Sequence, residues 1–306
     1  MFRVAIAGTG GLAQYIAYYI DVETPHQFIM LSRAPKPHLS AKGYQVVVVN
    51  YSERNGLRYA LAGIDIVVST VSGSPQLNLI DAAYYAGVRR FAPAEFEGQP
   101  SLRPLINDVF DRGQLQALDR LRLYRERMES TVFVCGILYE RFAVGGMASA
   151  AIGGSTGISN EGDYLIDIRN FKAKIPHYNA AGREVFICMT SASDVGRFVA
   201  KALGMQNWPS ELRMQGERKR IHDIVCIAEG MMGRHFERMY YNTDHLEDAL
   251  AFAESSGNRK ELLKVHSLIA TSESRYDFLN PNLNSYAGFV PTAFSDWLAA
   301  NWASSR

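Results

Sequence analysis

Cysteine, net charge and long apolar runs are all scarce in this sequence. Its three cysteines, Cys135, Cys188 and Cys226, lie far apart inside apolar segments, a pattern that fits buried thiols and argues against a disulfide framework or a nucleophilic cysteine. The seven histidines form no HExxH pair and no close His/Cys cluster, so no metal site is expected. Lysine and arginine total 32 against 31 aspartates and glutamates, which removes any global electrostatic reason to bind nucleic acid or an anionic membrane. The local basic run Arg213, Arg218, Lys219 and Arg220 lacks a nucleic-acid module around it and reads as a solvated surface. The first apolar run reaches glycine after about seven residues, too short for a signal core or a membrane span, and a cytoplasmic location is the expectation. No tyrosine has lysine four positions later, so the Tyr-x-x-x-Lys pair of ordinary short-chain dehydrogenases is missing.

What is present begins at the first residues. Met1 to Ala7 reads as an apolar strand running into Gly8-Thr-Gly-Gly-Leu-Ala13, a G-x-G-x-x-A turn followed by a helix from Leu12 to Ile20. Such a turn lets backbone N–H groups and a helix N-terminus approach a pyrophosphate. Gly8, Gly10, Gly11 and Leu12 are the expected contacts. A second strand, Gln27 to Leu31, ends in Ser32-Arg33, where an acidic residue would accept the ribose hydroxyls of NAD. Arginine instead offers a fork of donors to a 2′-phosphate, with Lys36 nearby, and the expected cofactor is NADP(H).

Further β-rich runs at Tyr44–Val49, Ile64–Ser69, Val88–Ala92 and Thr131–Cys135 alternate with helical stretches near Glu53–Ala62, Gln76–Tyr85 and Gly113–Met128. Six apolar strands with helical connections imply an α/β fold, a Rossmann-type parallel sheet with helices on both faces. Residues 1–140 are assigned to this dinucleotide-binding core. Residues 141–306 are read mainly as a smaller C-terminal substrate lobe, with residues of about 183–203 open to returning to the core. Ser191 and Asp194 read as a helix start ahead of Val195–Leu203, and Asp244 with Glu247 have capping-box spacing. Ligands in such sheets sit beyond the strands' carboxyl ends, which selects Thr70, Val71, Pro93 and Gly136 as further cofactor contacts.

Over nearly its whole length the chain resembles the NmrA-like family, in the isoflavone reductase-like branch of the atypical short-chain dehydrogenases. The resemblance rests on the glycine turn, Arg33, Ala62–Thr70, Arg90–Phe96, Gly136–Glu140, Thr190–Val195 and Pro291–Leu298. It implies a reductase of a small apolar or aromatic secondary metabolite. The family also leaves open a non-redox isomerase, cyclase or lyase, and an NADP-responsive regulatory protein. The family's G-x-x-G-x-x-G turn is matched at Gly8 and Gly11, with Gln14 in place of the last glycine. The Pro93-Ala-Glu-Phe96 stretch is similar to a family segment bordering nicotinamide and substrate, with Phe96 as an apolar wall and Glu95 as a catalytic or hydrogen-bonding carboxylate. Family reductases place a lysine at the position corresponding to Gly113, and glycine can neither donate a proton nor stabilise negative charge. Arg112 is the nearest cation, and Tyr139, just beyond a strand end, is the expected proton donor or substrate contact. The partner expected is a small organic substrate, with room for a homodimer or a regulatory protein partner.

Overall fold

The computed structural model describes residues 1–303. The chain alternates β1 (Arg3–Ala7), α1 (Gly11–Glu23), β2 (Gln27–Ser32), α2 (Pro37–Ser40), β3 (Val46–Val48), α3 (Arg54–Ala60), β4 (Ile66–Ser69), α4 (Ser74–Ala86), β5 (Arg90–Ala92), α5 (Gln114–Tyr124) and β6 (Glu129–Ser130). The six strands pair in parallel in the order β3-β2-β1-β4-β5-β6. The order reverses between β1 and β4, and that switch point opens a crevice at their carboxyl ends. Both faces of the sheet are covered. Val4, Ile6 and Val68 join one apolar cluster, while Ala5, Ala7 and Val67 join another on the opposite side. This is why the strands read as continuous rather than alternating apolar runs.

The expected sixth strand divides its pairing. Only Glu129 and Ser130 pair with β5; β7 (Val132–Val134) continues past Thr131 and pairs with β12 (Glu211–Arg213), which extends the layer beyond the first six strands. After β8 (Ile137–Leu138) and α6 (Gly146–Ser149), the chain continues through β9 (Ile166–Asp167), β10 (Lys172–Pro176), β11 (Phe186–Thr190), α7 (Ala192–Ala202), β12, β13 (Glu217–Arg220), α8 (Ile221–Met232), β14 (Glu237–Tyr241), α9 (Thr243–Ser256), α10 (Arg259–Ser272), α11 (Asn282–Ala287) and α12 (Phe294–Trp302). Strand β11 lies between β8 and β13, and β10 between β14 and β9.

Helix α7 crosses back to the first lobe. Val195, Phe198 and Val199 share a core with Ile16 and Ile20 of α1, all fully buried. Each such side chain contributes roughly 1.5–3 kcal/mol of burial. Ser191 caps the helix by accepting from Asp194 N at 3.0 Å, and Glu140 places both carboxylate oxygens 3.0 Å from Ala192 N. Asp194 in turn accepts from Thr292 N at 2.9 Å, tying the Pro291–Leu298 segment to the helix start.

Two local expectations need correction. Helix α9 is capped by Asn242, which accepts from His245 N at 2.8 Å, so Asp244 lies inside the first turn and is not the cap. Cys226 is exposed, because α8 turns it away from the face that buries Ile224 and Val225; Cys135 and Cys188 are buried. The basic run is neutralised locally: Arg213 pairs with Glu211, Arg218 with Asp277, Lys219 with Glu217, and Arg220 with Asp223. Among the described residues no helix is long and apolar enough to cross a membrane, and no His/Cys/Asp/Glu group suits a metal.

Helices α1 and α7 approach closely at Gly196, where a Cβ would stand 2.7 Å from the backbone carbon of Tyr15. Replacing Gly196 with alanine should destabilise the protein by about 1–3 kcal/mol through overpacking. Urea unfolding checks this, and an unchanged midpoint would show that the two helices are free to separate.

Candidate active site

A cleft of about 660 Å³ lies over the strand ends, between the glycine turn and the second-lobe segments 136–141 and 147–156. Gly8, Gly10, Gly11, Leu12, Arg33, Lys36, Thr70, Val71, Glu95, Phe96, Arg112 and Gly136 all line it. Their glycines answer to different constraints. Gly8 has φ +112°, and a Cβ there would fall 2.2 Å from Thr70 Oγ1, which itself donates to Ala7 O at 2.9 Å. A Cβ on Gly11 would fall 1.7 Å from Ala150 O, and Gly11 N donates to Ala151 O at 3.0 Å. One N–H of the turn is therefore committed to the second lobe. Leu12 and Ala13 N–H, at the open start of α1, keep no backbone partner and face a position suited to an anion. Gln14, at the family's last glycine, donates from Nε2 to Thr9 O at 3.1 Å and braces the turn.

At the far end of β2, Arg33 is exposed and Lys36 half-buried, and neither has an ion-pair partner among the described residues. Ser32 Oγ donates to Ala34 O at 2.7 Å and shapes the turn that carries them.

The β5 end of the cleft is ionic. Gln76 Oε1 accepts from Ala94 N at 2.7 Å, and Glu97 O accepts from both Cys135 N and Gly136 N, so the 94–97 segment is fixed at two points. Along this extended stretch Phe96 stacks on Phe133, with ring centroids 5.8 Å apart, while Glu95 and Glu97 both turn to Arg103. Glu95 Oε2 is 2.5 Å from Arg103 Nη2, but neither Glu95 oxygen gains a properly aligned hydrogen bond. Its side chain has 0% exposure, whereas the Glu97 side chain is 22% exposed and accepts from Arg103 at 2.9 Å. Both carboxylates line the cleft, Glu97 the more exposed of the two, and Glu95 is corrected from a free substrate-facing acid to a buried one set against Arg103. Burial would raise the Glu97 carboxyl, but the guanidiniums of Arg103, then Arg275, Arg112 and Arg141, hold it below the ordinary range.

Tyr139 is also corrected. It is fully buried, its hydroxyl donates to Thr292 O at 3.1 Å, and its ring packs against Phe294 and Trp297 in the second-lobe core. It does not line the cleft, because the chain turns into a 3-10 segment at Tyr139–Phe142 that sends the ring inward and brings Arg141 to the wall. Pro93 is buried behind the wall, and Ala94 takes its place on the surface of the cleft. Gly113 precedes α5 with φ +84°, and a Cβ there would meet Gly73 Cα at 3.2 Å, so this backbone is closed to lysine without strain. Asp111 accepts from Gln114 N at 2.8 Å and caps α5, leaving Arg112 free of it.

Glu97, Arg103 and Arg141 were missed from the sequence. The Glu-Phe-Glu alternation carried a signal for the first, since residues two apart in extended chain share a side; Arg103 and Arg141 reach the site only through tertiary folding.

No family model matches the chain. The oxidoreductase BOA1 of Botryotinia fuckeliana is 30% identical over 252 residues, spanning 76% of this chain and 77% of that protein. The chain belongs to this oxidoreductase family. The oxidoreductase swnR of Arthroderma benhamiae is 32% identical over 241 residues, covering 74% of this chain and 73% of that one. Among solved structures, AtPrR2 with NADP+ and (+)pinoresinol matches with TM-score 0.74 at 19% identity, covering 98% of both chains. The NADPH-dependent quinone oxidoreductase QOR2 of Escherichia coli matches with TM-score 0.70 at 18% identity, covering 97% of this chain and 98% of that one. At these identities the structural likeness is one of fold.

Burial pushes the Glu95 and Glu140 carboxyls up to about 7 from 4.5, in the first case against Arg103 and in the second against backbone N–H groups. A raised carboxyl contributes stability that is complete below 4.5 and lost as pH rises toward about 7. Glu140→Gln removes one of these two contributions. The stability of the natural protein relative to E140Q should therefore fall across that window. Urea unfolding at several pH values measures it, and a difference that stays constant would contradict the burial argument.

Proposed function

We propose that this protein is an NADP(H)-dependent reductase of a small organic metabolite, on the NmrA-like, isoflavone reductase-like plan. The observation that carries the reading is the unpaired Arg33 and Lys36 at the end of β2, facing the same cleft as the glycine turn. A 2′-phosphate is the feature of a dinucleotide that two free cations at this place would select. The glycine turn fits the pyrophosphate because the N–H groups of Leu12 and Ala13 are open and no side chain stands before them. The solved NADP+ complex of AtPrR2 shares the fold and adds support.

When bound, the cofactor supplies the hydride. Thr70, Val71 and Gly136 wall the middle of the cleft, and Phe96, Leu138, Met147 and Ile152 make an apolar surface that excludes water. The Arg112 side chain has no hydrogen-bond or ion-pair partner among the described residues and lines the cleft, where it stabilises negative charge developing on a substrate oxygen. A guanidinium holds charge and does not pass on its proton, so the proton comes from solvent in this reading.

Gly113 and the inward-turned Tyr139 favour a second reading, a non-redox isomerase, cyclase or lyase that keeps the dinucleotide unchanged. Arg33→Ala should weaken NADP+ binding at least about tenfold while leaving NAD+ binding near its original value. Calorimetric titration of both dinucleotides tests this, and equal losses would remove the assignment. Oxidation of NADPH mole for mole with product supports the reductase; product formed with NADPH unchanged supports the second reading.

A further inference from the structure

We propose that the β5 end of the cleft is a carboxylate-binding subsite, in which Arg112 from the first lobe and Arg141 from the second hold the acid group of an otherwise apolar substrate. The inference rests on the reading of this cleft as the substrate site.

The guanidinium groups of this chain are mostly paired. Arg90 reaches Glu129, Arg120 reaches Asp81, Arg218 reaches Asp277 and Arg275 reaches Asp108. Arg112 and Arg141 depart from that pattern, and both line the cleft. Arg112 has no side-chain partner, and its Nε is enclosed without an acceptor. Arg141 donates once, from Nη1 to Ile158 O at 3.3 Å, and lies over the Tyr164 ring at 5.2 Å. The ring holds the guanidinium in place while its remaining N–H groups have no protein partner. A half-buried donor left without an acceptor costs free energy, and a planar carboxylate presents two acceptors to the guanidinium fork.

The surrounding charges leave this place open to an anion. Arg103, Arg112, Arg141 and Arg275 face Glu97. Against these four cations stand Glu97 and Asp108, with Glu95 only partly ionised near neutral pH, so positive charge is in excess. Glu97 is already held by Arg103 at 2.9 Å, Asp108 is bonded to Arg275, and Glu95 lies buried against Arg103. None of the three carboxylates forms an ion pair with Arg112 or Arg141. The cations Arg33 and Lys36 belong to the other end, across β1 and β4, so the two basic groups do not compete for one ligand. Between them the wall is apolar at Phe96, Ile137, Leu138 and Met147. Two guanidiniums without ion pairs beside an apolar wall suit a carboxylic acid with a hydrophobic body.

The test uses the full chain saturated with NADP+ and titrated by calorimetry with hydrocinnamate and with its uncharged isostere hydrocinnamamide. The acid should bind at least about tenfold more tightly than the amide. Arg141→Met should erase that preference while leaving NADP+ affinity unchanged; Arg112→Met should also erase it, and Arg141→Lys should keep part of it. Equal binding of acid and amide, no binding of either, or a preference that survives both methionine variants would overturn the proposal. Failure of the natural chain to bind NADP+ would instead overturn the proposed function, and the same acid and amide titration without cofactor would still decide the subsite.

Discussion

The seating of the second lobe on the glycine turn is the constraint from which the rest of the site follows. Gly11 N donates to Ala151 O at 3.0 Å, and Ala150 O lies where a Cβ of Gly11 would be. Ala151 is held at φ +53° to make this contact, a backbone conformation that costs a non-glycine residue free energy. The contact sets the width of the cleft by bringing residues 147–156 over the turn that begins α1. A similar close approach fixes the other side, where a Cβ on Gly136 would fall 2.1 Å from Cys188 O. Glycine here serves the joining of two lobes as much as access to a ligand, and both follow from the same missing side chain.

Charge is distributed along this cleft in a way the even overall balance conceals. One end carries Arg33 and Lys36 without partners; the other carries a buried network in which Arg103 is shared by Glu95 and Glu97 and Arg275 is held by Asp108. Inside a low-dielectric wall these charges are matched to one another, and the cations left out of the pairs retain the capacity to bind something else. A chain with a net charge of +1 can still hold two strongly cationic subsites, because its acids are placed elsewhere.

The first half of the fold was legible because it is local. A continuous apolar strand, a glycine turn and an amphipathic helix repeat in order, and a parallel sheet with its crevice at the switch point follows from that alternation. Arg33 was legible for the same reason, since it stands directly at a strand end. Tyr139 was not: the residue after a strand end can turn toward the cleft or toward the core, and the choice was made by Phe294, Trp297 and the Thr292 carbonyl, all more than a hundred residues away. Glu95 and Glu97 could be seen as neighbours, but which one was the more exposed depended on Arg103. The Asn242 cap and the exposed Cys226 were hidden by similar competition between adjacent polar residues and between helix faces.

The most direct measurement is a crystal structure of the chain grown with NADP+. The account predicts the pyrophosphate against the N–H groups of Leu12 and Ala13, the 2′-phosphate at Arg33 and Lys36, and the nicotinamide toward Gly136, with Arg112 and Arg141 left free beyond it. A dinucleotide bound with its 2′-phosphate away from Arg33, or a cleft that stays empty at saturating NADP+, would contradict it.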